Sequence, residues 1–440
     1  MSAPKATQGR LQAVFGNLGW LLASNGLTAV LSLVYVGIIT RTLGIAEFGR
    51  FALIIGAAQT LAVAVSFETW KIVVQYGLEH QSRGDHDALA RIQKTAMLIE
   101  LASAGLGMMC VILLFSIWPH PFGLPGDVKP YALGYALVQL VTLRSTPTGI
   151  LRLHDKFSVA AAADSVQPIA RLIGALLALA FWPTLQAFLL AYALAEMLTT
   201  VTCWVLAFRY VDVQRLRHVT LGWRRLTAQN IGLLRFTWTT NLQSSLGLAS
   251  RQVPLLLVGG FAGPAAAGAF RLAVQLANAL SKISTLVMRA AFPEMVRSLR
   301  TAPRERLMRF IGQMLLAGLA SAAVVMLFTI LFGRLFLTLI GGHEFSAAYV
   351  MLLWLAGAGC IELALTSFEA ILIIVHRAGA IIVARSAALL LQLGALFVLL
   401  PLMGASGASI SVFIGAMAAA IFIAINIALY ARTHDGPRPA

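Results

Sequence analysis

The chain has 440 residues, 59% of them apolar and 11% charged, with 33 Lys and Arg against 17 Asp and Glu and a formal net charge of +16. Soluble domains carry about 25% charged residues, so this chain has too little polar surface for a water-soluble globule. It is also neither Gly/Pro-periodic nor charge-rich enough to be fibrous or disordered. The composition is that of a polytopic membrane protein, and the basic excess must be placed on a topology before it says anything about nucleic acid.

A membrane span needs about 20 mostly apolar residues. Twelve windows meet that need, near 14–40, 50–69, 95–117, 131–151, 159–181, 185–207, 235–258, 265–289, 310–333, 348–372, 379–400 and 405–430. Long continuous apolar runs imply helices, because backbone groups in lipid must bond within their own segment. The expected fold class is therefore all-α. The first window follows Lys5 and Arg10 and is too long for the apolar region of a signal peptide, so it reads as a retained span. It presents Asn25, Thr28, Ser32 and Tyr35 on one face. The fourth span carries Arg144. The fifth carries Asp164 and Arg171, which share a face but stand two turns apart. The sixth carries Glu196, to which no role is assigned.

Residues 208–234 form the longest connection, basic and centrally placed. They divide the chain into an N-lobe of six spans (1–207), a basic cytoplasmic linker (208–234) and a C-lobe of six spans (235–440). The seventh span carries Arg251. On the eighth, Arg271, Gln275, Asn278 and Lys282 recur at steps of 4, 3 and 4, which stacks them on one helical face. The tenth span carries Glu362, Thr366 and Glu369 at steps of 4 and 3. Arg385 on the eleventh is left without a role. Glu100, on a span that begins with Lys94, is free to snorkel.

With the N-terminus inside, cytoplasmic segments hold 23 basic residues and outer loops four (Arg41, Arg50, Lys129, Arg334). That split obeys the positive-inside rule, puts both termini in the cytoplasm and makes nucleic-acid binding unnecessary. The outer hairpin after the first span, LGIAEFGRF at 43–51, has a counterpart in AGPAAAGAF at 262–270. Gly44, Gly49 and Phe51 match Gly263, Gly268 and Phe270 at an offset of 219 residues. A six-span repeat has an even number of spans, so both halves share one orientation, and a cavity is expected between them.

Charges inside a bilayer cost about 2.5–3.5 kcal/mol each on the lenient insertion scale, so they must face a cavity or one another. Arg144, Arg171, Arg251, Arg271 and Lys282, with Gln275 and Asn278, are the candidate anion face, because guanidinium forks suit phosphate. Asp164, Glu362 and Glu369 are candidates for coupling to H⁺ or Na⁺, or for simple charge compensation. The sequence contains no GxxxxGK[ST], HExxH, GxSxG, GxGxxG or CxxC. The three cysteines are scattered in apolar runs. No metal, cofactor or nucleophile constellation is expected.

Several stretches resemble the polysaccharide flippases of the Wzx type: TRTLGIAEFGRFALIIGAAQTL (40–61), GILRLHDKF (149–157), TTNLQSSLGLASRQVPLLLVGGFAGPAAAGAFRLAVQLANAL (239–280), AAFPEM (290–295) and GASGASIS (404–411). That family belongs to the multidrug, oligosaccharidyl-lipid and polysaccharide (MOP) exporter superfamily. The resemblance implies two six-helix lobes around a central cavity in the bacterial inner membrane. It implies a substrate of undecaprenyl-diphosphate-linked oligosaccharide, moved between leaflets by alternating access without catalysis, and polysaccharide polymerases as partners. Two alternatives stay open: a multidrug/cation antiporter of the same superfamily, or a membrane-embedded glycosyltransferase or ligase of the same pathway.

Overall fold

The computed structural model describes the backbone of residues 5–118, 124, 126–299, 304–374 and 378–433; side chains at 5–27, 223–225, 243, 282–315, 317, 366–367, 370–371, 373–378 and 428–433 lie outside that description. The described residues form fourteen α-helices and no strand. In chain order these are α1 (Lys5–Val65), α2 (Thr69–Ser82), α3 (His86–Ile117), α4 (Lys129–Val141), α5 (Ser145–Leu153), α6 (Phe157–Phe181), α7 (Leu185–Phe208), α8 (Val213–His218), α9 (Trp223–Gln229), α10 (Leu233–Leu299), α11 (Arg304–Gly341), α12 (Tyr349–Ile374), α13 (Ala378–Met403) and α14 (Ala405–Thr433). Among the described residues nine helical stretches are long and apolar enough to cross a membrane. The protein is an all-α polytopic membrane protein.

The difference between nine stretches and twelve expected spans has two physical causes. First, α1 and α10 each carry two spans through a glycine kink. Gly44 (φ 74°, ψ 175°) and Gly263 (φ 84°, ψ 173°) adopt the same conformation, one open essentially to glycine alone. They stand 219 residues apart, so the repeat read from three matches in nine positions is also a repeat of backbone geometry. Second, the expected fourth span is not one helix. It breaks at Thr142–Arg144 into α4 and α5. The second span ends at Val65, short of its expected end, and after a break at residues 66–68 a separate helix α2 takes up residues expected to be cytoplasmic loop.

The chain forms two compact units: 1–42 with 54–245, and 43–53 with 246–440. In the first, α6 packs on α7, and α2 packs on α3 and α5. Residues 208–234 are built into this unit rather than strung across it. Leu226 and Leu233 bury with Ile72 and Ile92. The side chain of Asn230 meets His80 Nε2 at 2.9 Å, Arg91 Nε donates to Gln229 Oε1 at 3.1 Å, and Lys94 donates to the Val219 carbonyl at 2.9 Å.

In the second unit the two repeat-related hairpin tips meet backbone to backbone. A Cβ on Gly49 would stand 1.7 Å from the Pro264 carbonyl oxygen, and one on Gly268 would stand 2.5 Å from the Ile45 carbonyl oxygen. Ile45 and Pro264 are themselves repeat mates, so the contact is locally two-fold. Ile45 N–H, just past the Gly44 kink, donates to Glu344 at 3.3 Å. Helices α12, α13 and α14 pack together around Leu365, Leu372, Ile381 and Ala419.

Candidate functional site: a buried ionic network

The break between α4 and α5 is built from the inside. Thr142 ends α4 by bonding back to the Val138 carbonyl at 2.9 Å, and Thr200 on α7 donates to the Thr142 carbonyl at 2.9 Å. The first turn of α5 then needs acceptors for its free N–H groups. Glu100, 6% exposed on α3, supplies them: Ser145 N–H donates at 2.7 Å and Thr146 N–H at 2.8 Å. The buried carboxylate acts as a helix cap from another helix, favoured by the helix dipole. Glu100 therefore does not snorkel. Ser145 Oγ in turn accepts from the Trp70 N–H at 3.0 Å, and Thr69 and Thr146 hydroxyls pair at 2.9 Å.

Arg144 is the residue immediately before this capped turn, so its side chain leaves from a fixed position. Its Nη1 donates to Glu196 Oε2 on α7 at 2.8 Å, and its Nη2 to Gln167 Oε1 at 3.3 Å. Arg171, one turn along α6 from Gln167, donates from Nη2 to Glu196 Oε1 at 2.5 Å. Gln167 Nε2 also donates to Glu196 Oε1. The Arg171 guanidinium lies 4.2 Å from the ring centre of Tyr192 and donates to the Tyr35 hydroxyl at 3.3 Å, and the two tyrosine rings stand edge to face at 5.7 Å. Glu196 is 2% exposed. One carboxylate thus joins two arginines, and the network keeps one positive charge in excess. Breaking such a buried pair costs about 3–5 kcal/mol, so its members hold one another in place.

In the second unit the proportions reverse. Arg385 donates from Nη1 to Glu362 at 2.6 and 2.9 Å and from Nε to Glu369 at 2.7 Å. One guanidinium joins two carboxylates with one negative charge in excess. Ser250 and Gln392 make a second polar link here, Ser250 Oγ donating at 2.6 Å and the Gln392 amide returning a bond to the Ser250 carbonyl at 2.7 Å.

Of the residues singled out from the sequence, Arg144 and Arg171 come together through Glu196, and Glu362 and Glu369 through Arg385. Asp164 stands apart, lining a cavity of about 500 Å³ with Trp70, Arg152, Asp155 and Phe157. Arg152 stacks on Trp70 there, 4.4 Å from the ring centre. Arg271 and Gln275 are half-buried and Asn278 exposed, while Leu272, Ala273, Leu276 and Ala277 between them are buried. Arg251 is exposed. The side chains of Lys282, Asn25 and Thr366 lie outside the described residues. Ser32 bonds back to the Thr28 carbonyl at 2.7 Å. Among the described residues no group of His, Cys, Asp and Glu is arranged to hold a metal ion.

The two residues the sequence left without a role, Glu196 and Arg385, are the hubs. A signal existed. Arg171 lies ten residues before the end of α6 and Glu196 eleven after the start of α7. The short turn between them makes those positions level in an antiparallel pair.

A model of the family described as "Polysaccharide biosynthesis protein" matches residues 14–299. The chain belongs to that family. Inner membrane protein YghQ of Escherichia coli (strain K12) is 25% identical over 342 residues, covering 78% of this chain and 96% of the relative. Two solved structures share the fold over most of their length. An inward-facing multidrug resistance transporter of the MATE family and MOP superfamily aligns with a TM-score of 0.66 at 17% identity, covering 92% of this chain and 96% of that one. The lipid II flippase MurJ, in an inward closed conformation, aligns at 0.67 and 12%, covering 93% and 87%. A third, a MOP transporter from Pyrococcus furiosus described as having a binding pocket of reversed polarity, aligns at 0.56 and 19%, covering 94% and 95%. This chain shares the fold of those three structures.

Proposed function

We propose that the protein is a transporter that moves a diphosphate-linked, lipid-anchored oligosaccharide from the inner to the outer leaflet of the inner membrane, for assembly of a surface polysaccharide. The family match over residues 14–299 carries this reading. The name of the E. coli relative supports the membrane, and the MurJ-like fold supports a lipid-linked cargo. The substrate's head would be an anion. The chemistry for it is a pair of arginines sharing one carboxylate in the first unit, with Arg251, Arg271, Gln275, Asn278 and Lys282 as the second half's contribution. Asp164, Glu362 and Glu369 remain the candidates for coupling to H⁺ or Na⁺. No catalytic step is proposed.

The test is made on cells lacking the chain. Diphosphate-linked oligosaccharide should accumulate in the cytoplasmic leaflet. The intact chain should relieve that accumulation, and an Arg171→Ala or Arg271→Ala variant present in the membrane at equal abundance should not. Normal surface polysaccharide without accumulation, together with efflux of cationic compounds, would replace this reading with a multidrug antiporter.

A further inference from the structure

The Glu196 network has the composition of an anion site that is already filled. Glu196 uses both carboxylate oxygens, one on each arginine, so neither guanidinium spends its two-pronged fork on it, the geometry by which such groups take phosphate oxygens. Its partners come from two different elements, the α4–α5 break and α6. The groups around it are otherwise donors or neutral: Gln167 on α6, Tyr35 on α1 and Tyr192 on its own helix. Tyr135 on α4 is a further titratable neighbour of Arg171, and Asp164 on α6 and Cys203 on α7 are further titratable neighbours of Arg144. Two cations share one carboxylate by hydrogen bond, and among the described residues the buried Nε of Arg171 has no acceptor. The site therefore has capacity for more negative charge than Glu196 supplies.

Resting on the flippase reading above, we infer that Glu196 is a built-in surrogate for the substrate's diphosphate: it occupies the seat between Arg144 and Arg171 and is displaced when a diphosphate enters. Glu196 is in this view a specificity-determining residue. Its carboxylate keeps the arginines paired and oriented, and sets the threshold an incoming anion must exceed. A diphosphate meets that threshold because it offers several oxygens and more than one charge to both forks at once. A monophosphate gathers its charge and its oxygens on a single phosphorus and so serves the two forks less fully than a diphosphate does.

The test uses the purified full chain in nanodiscs with farnesyl diphosphate as probe and farnesyl monophosphate as control. Removing the surrogate's charge in Glu196→Gln should tighten diphosphate binding about tenfold or more and narrow the preference over monophosphate. Because a ligand stabilises only the state it binds, the probe should also raise the melting temperature of Glu196→Gln by more than that of the wild type. Glu196→Asp, which keeps the charge, should bind as the wild type does. Arg144→Gln should weaken binding in either background. Diphosphate binding that Glu196→Gln leaves unchanged or weakens, with Arg144→Gln still harmful, would overturn this inference and leave the flippase reading standing. Absence of diphosphate binding in the wild type and in Glu196→Gln alike would overturn both.

Discussion

Glu100 shows how a single side chain organises a site from outside it. Its carboxylate takes the first two N–H groups of α5, and only with that turn fixed does Arg144 leave the backbone at a defined point. Glu100→Ala orphans two buried donors, each worth about 1–3 kcal/mol. The variant should melt at a clearly lower temperature in detergent and lose export activity, while Glu100→Gln, which still accepts with one oxygen, should fall between. At the same scale, Gly49→Ala places a methyl carbon 1.7 Å from a backbone oxygen. No rotamer relieves that, so we expect almost no folded protein by size-exclusion of the detergent extract. Gly105→Ala is the control. Nothing lies within 4 Å of its Cβ position, and an alanine within α3 should be neutral or stabilising by up to about 1 kcal/mol.

Among elements, the segment 208–234 and the helix starts around it are the part that pH can reach. Asp85 caps α3, its Oδ1 accepting from Ala88 N–H at 2.9 Å. That bond holds its carboxyl below the usual carboxylate range. A carboxylate with a lowered folded-state pKa stabilises the fold above its unfolded value and loses that contribution as pH falls through the folded one. Acidification below about pH 4, the unfolded range for Asp, should therefore fray the start of α3 and lower the protection of the Ala88 and Leu89 amides against hydrogen exchange. Asp85→Asn, which caps without titrating, should remove that pH dependence. Asp212 caps α8 in the same way, through Arg215 N–H at 3.0 Å, and its carboxyl is likewise lowered.

The long apolar runs made most of these elements readable in advance, because lipid leaves the backbone few alternatives to helix. The break in the fourth span was hidden for a physical reason: its cause, Glu100, sits on another helix and some 45 residues away. The docking of 208–234 was hidden likewise. Its apolar anchors Leu226 and Leu233 are sparse among arginines, and their partners Ile72 and Ile92 lie on α2 and α3.

At the scale of the whole molecule, the charge distribution makes a topological prediction. Single cysteines introduced into a cysteine-free version should react with a membrane-impermeant reagent on intact cells when placed at Gly342 or Lys129. They should be protected when placed at Gly84 or Gly222. Labelling at Gly84 in sealed cells would invert the assignment. Membrane-spanning helices were legible because hydropathy reads the chain one segment at a time. Pairing inside the bilayer was not. Arg171 and Glu196, or Glu369 and Arg385, acquire meaning only when two antiparallel helices are set level.

The two ionic networks also record how the halves have diverged. Arg171 on α6 and Arg385 on α13 each lie on the fifth span of their half, yet their carboxylates come from the following span in one case and the preceding span in the other. At the 219-residue offset Arg171 corresponds to Leu390, so the two arginines share a span but not a position. A protein assembled from two copies of the first half would carry two networks with two arginines on one carboxylate, and one assembled from two copies of the second half two networks with one arginine on two carboxylates. The duplicated halves have become unlike coins, no longer exchangeable for one another, and a chimaera that doubles either half should fail to accumulate in the membrane.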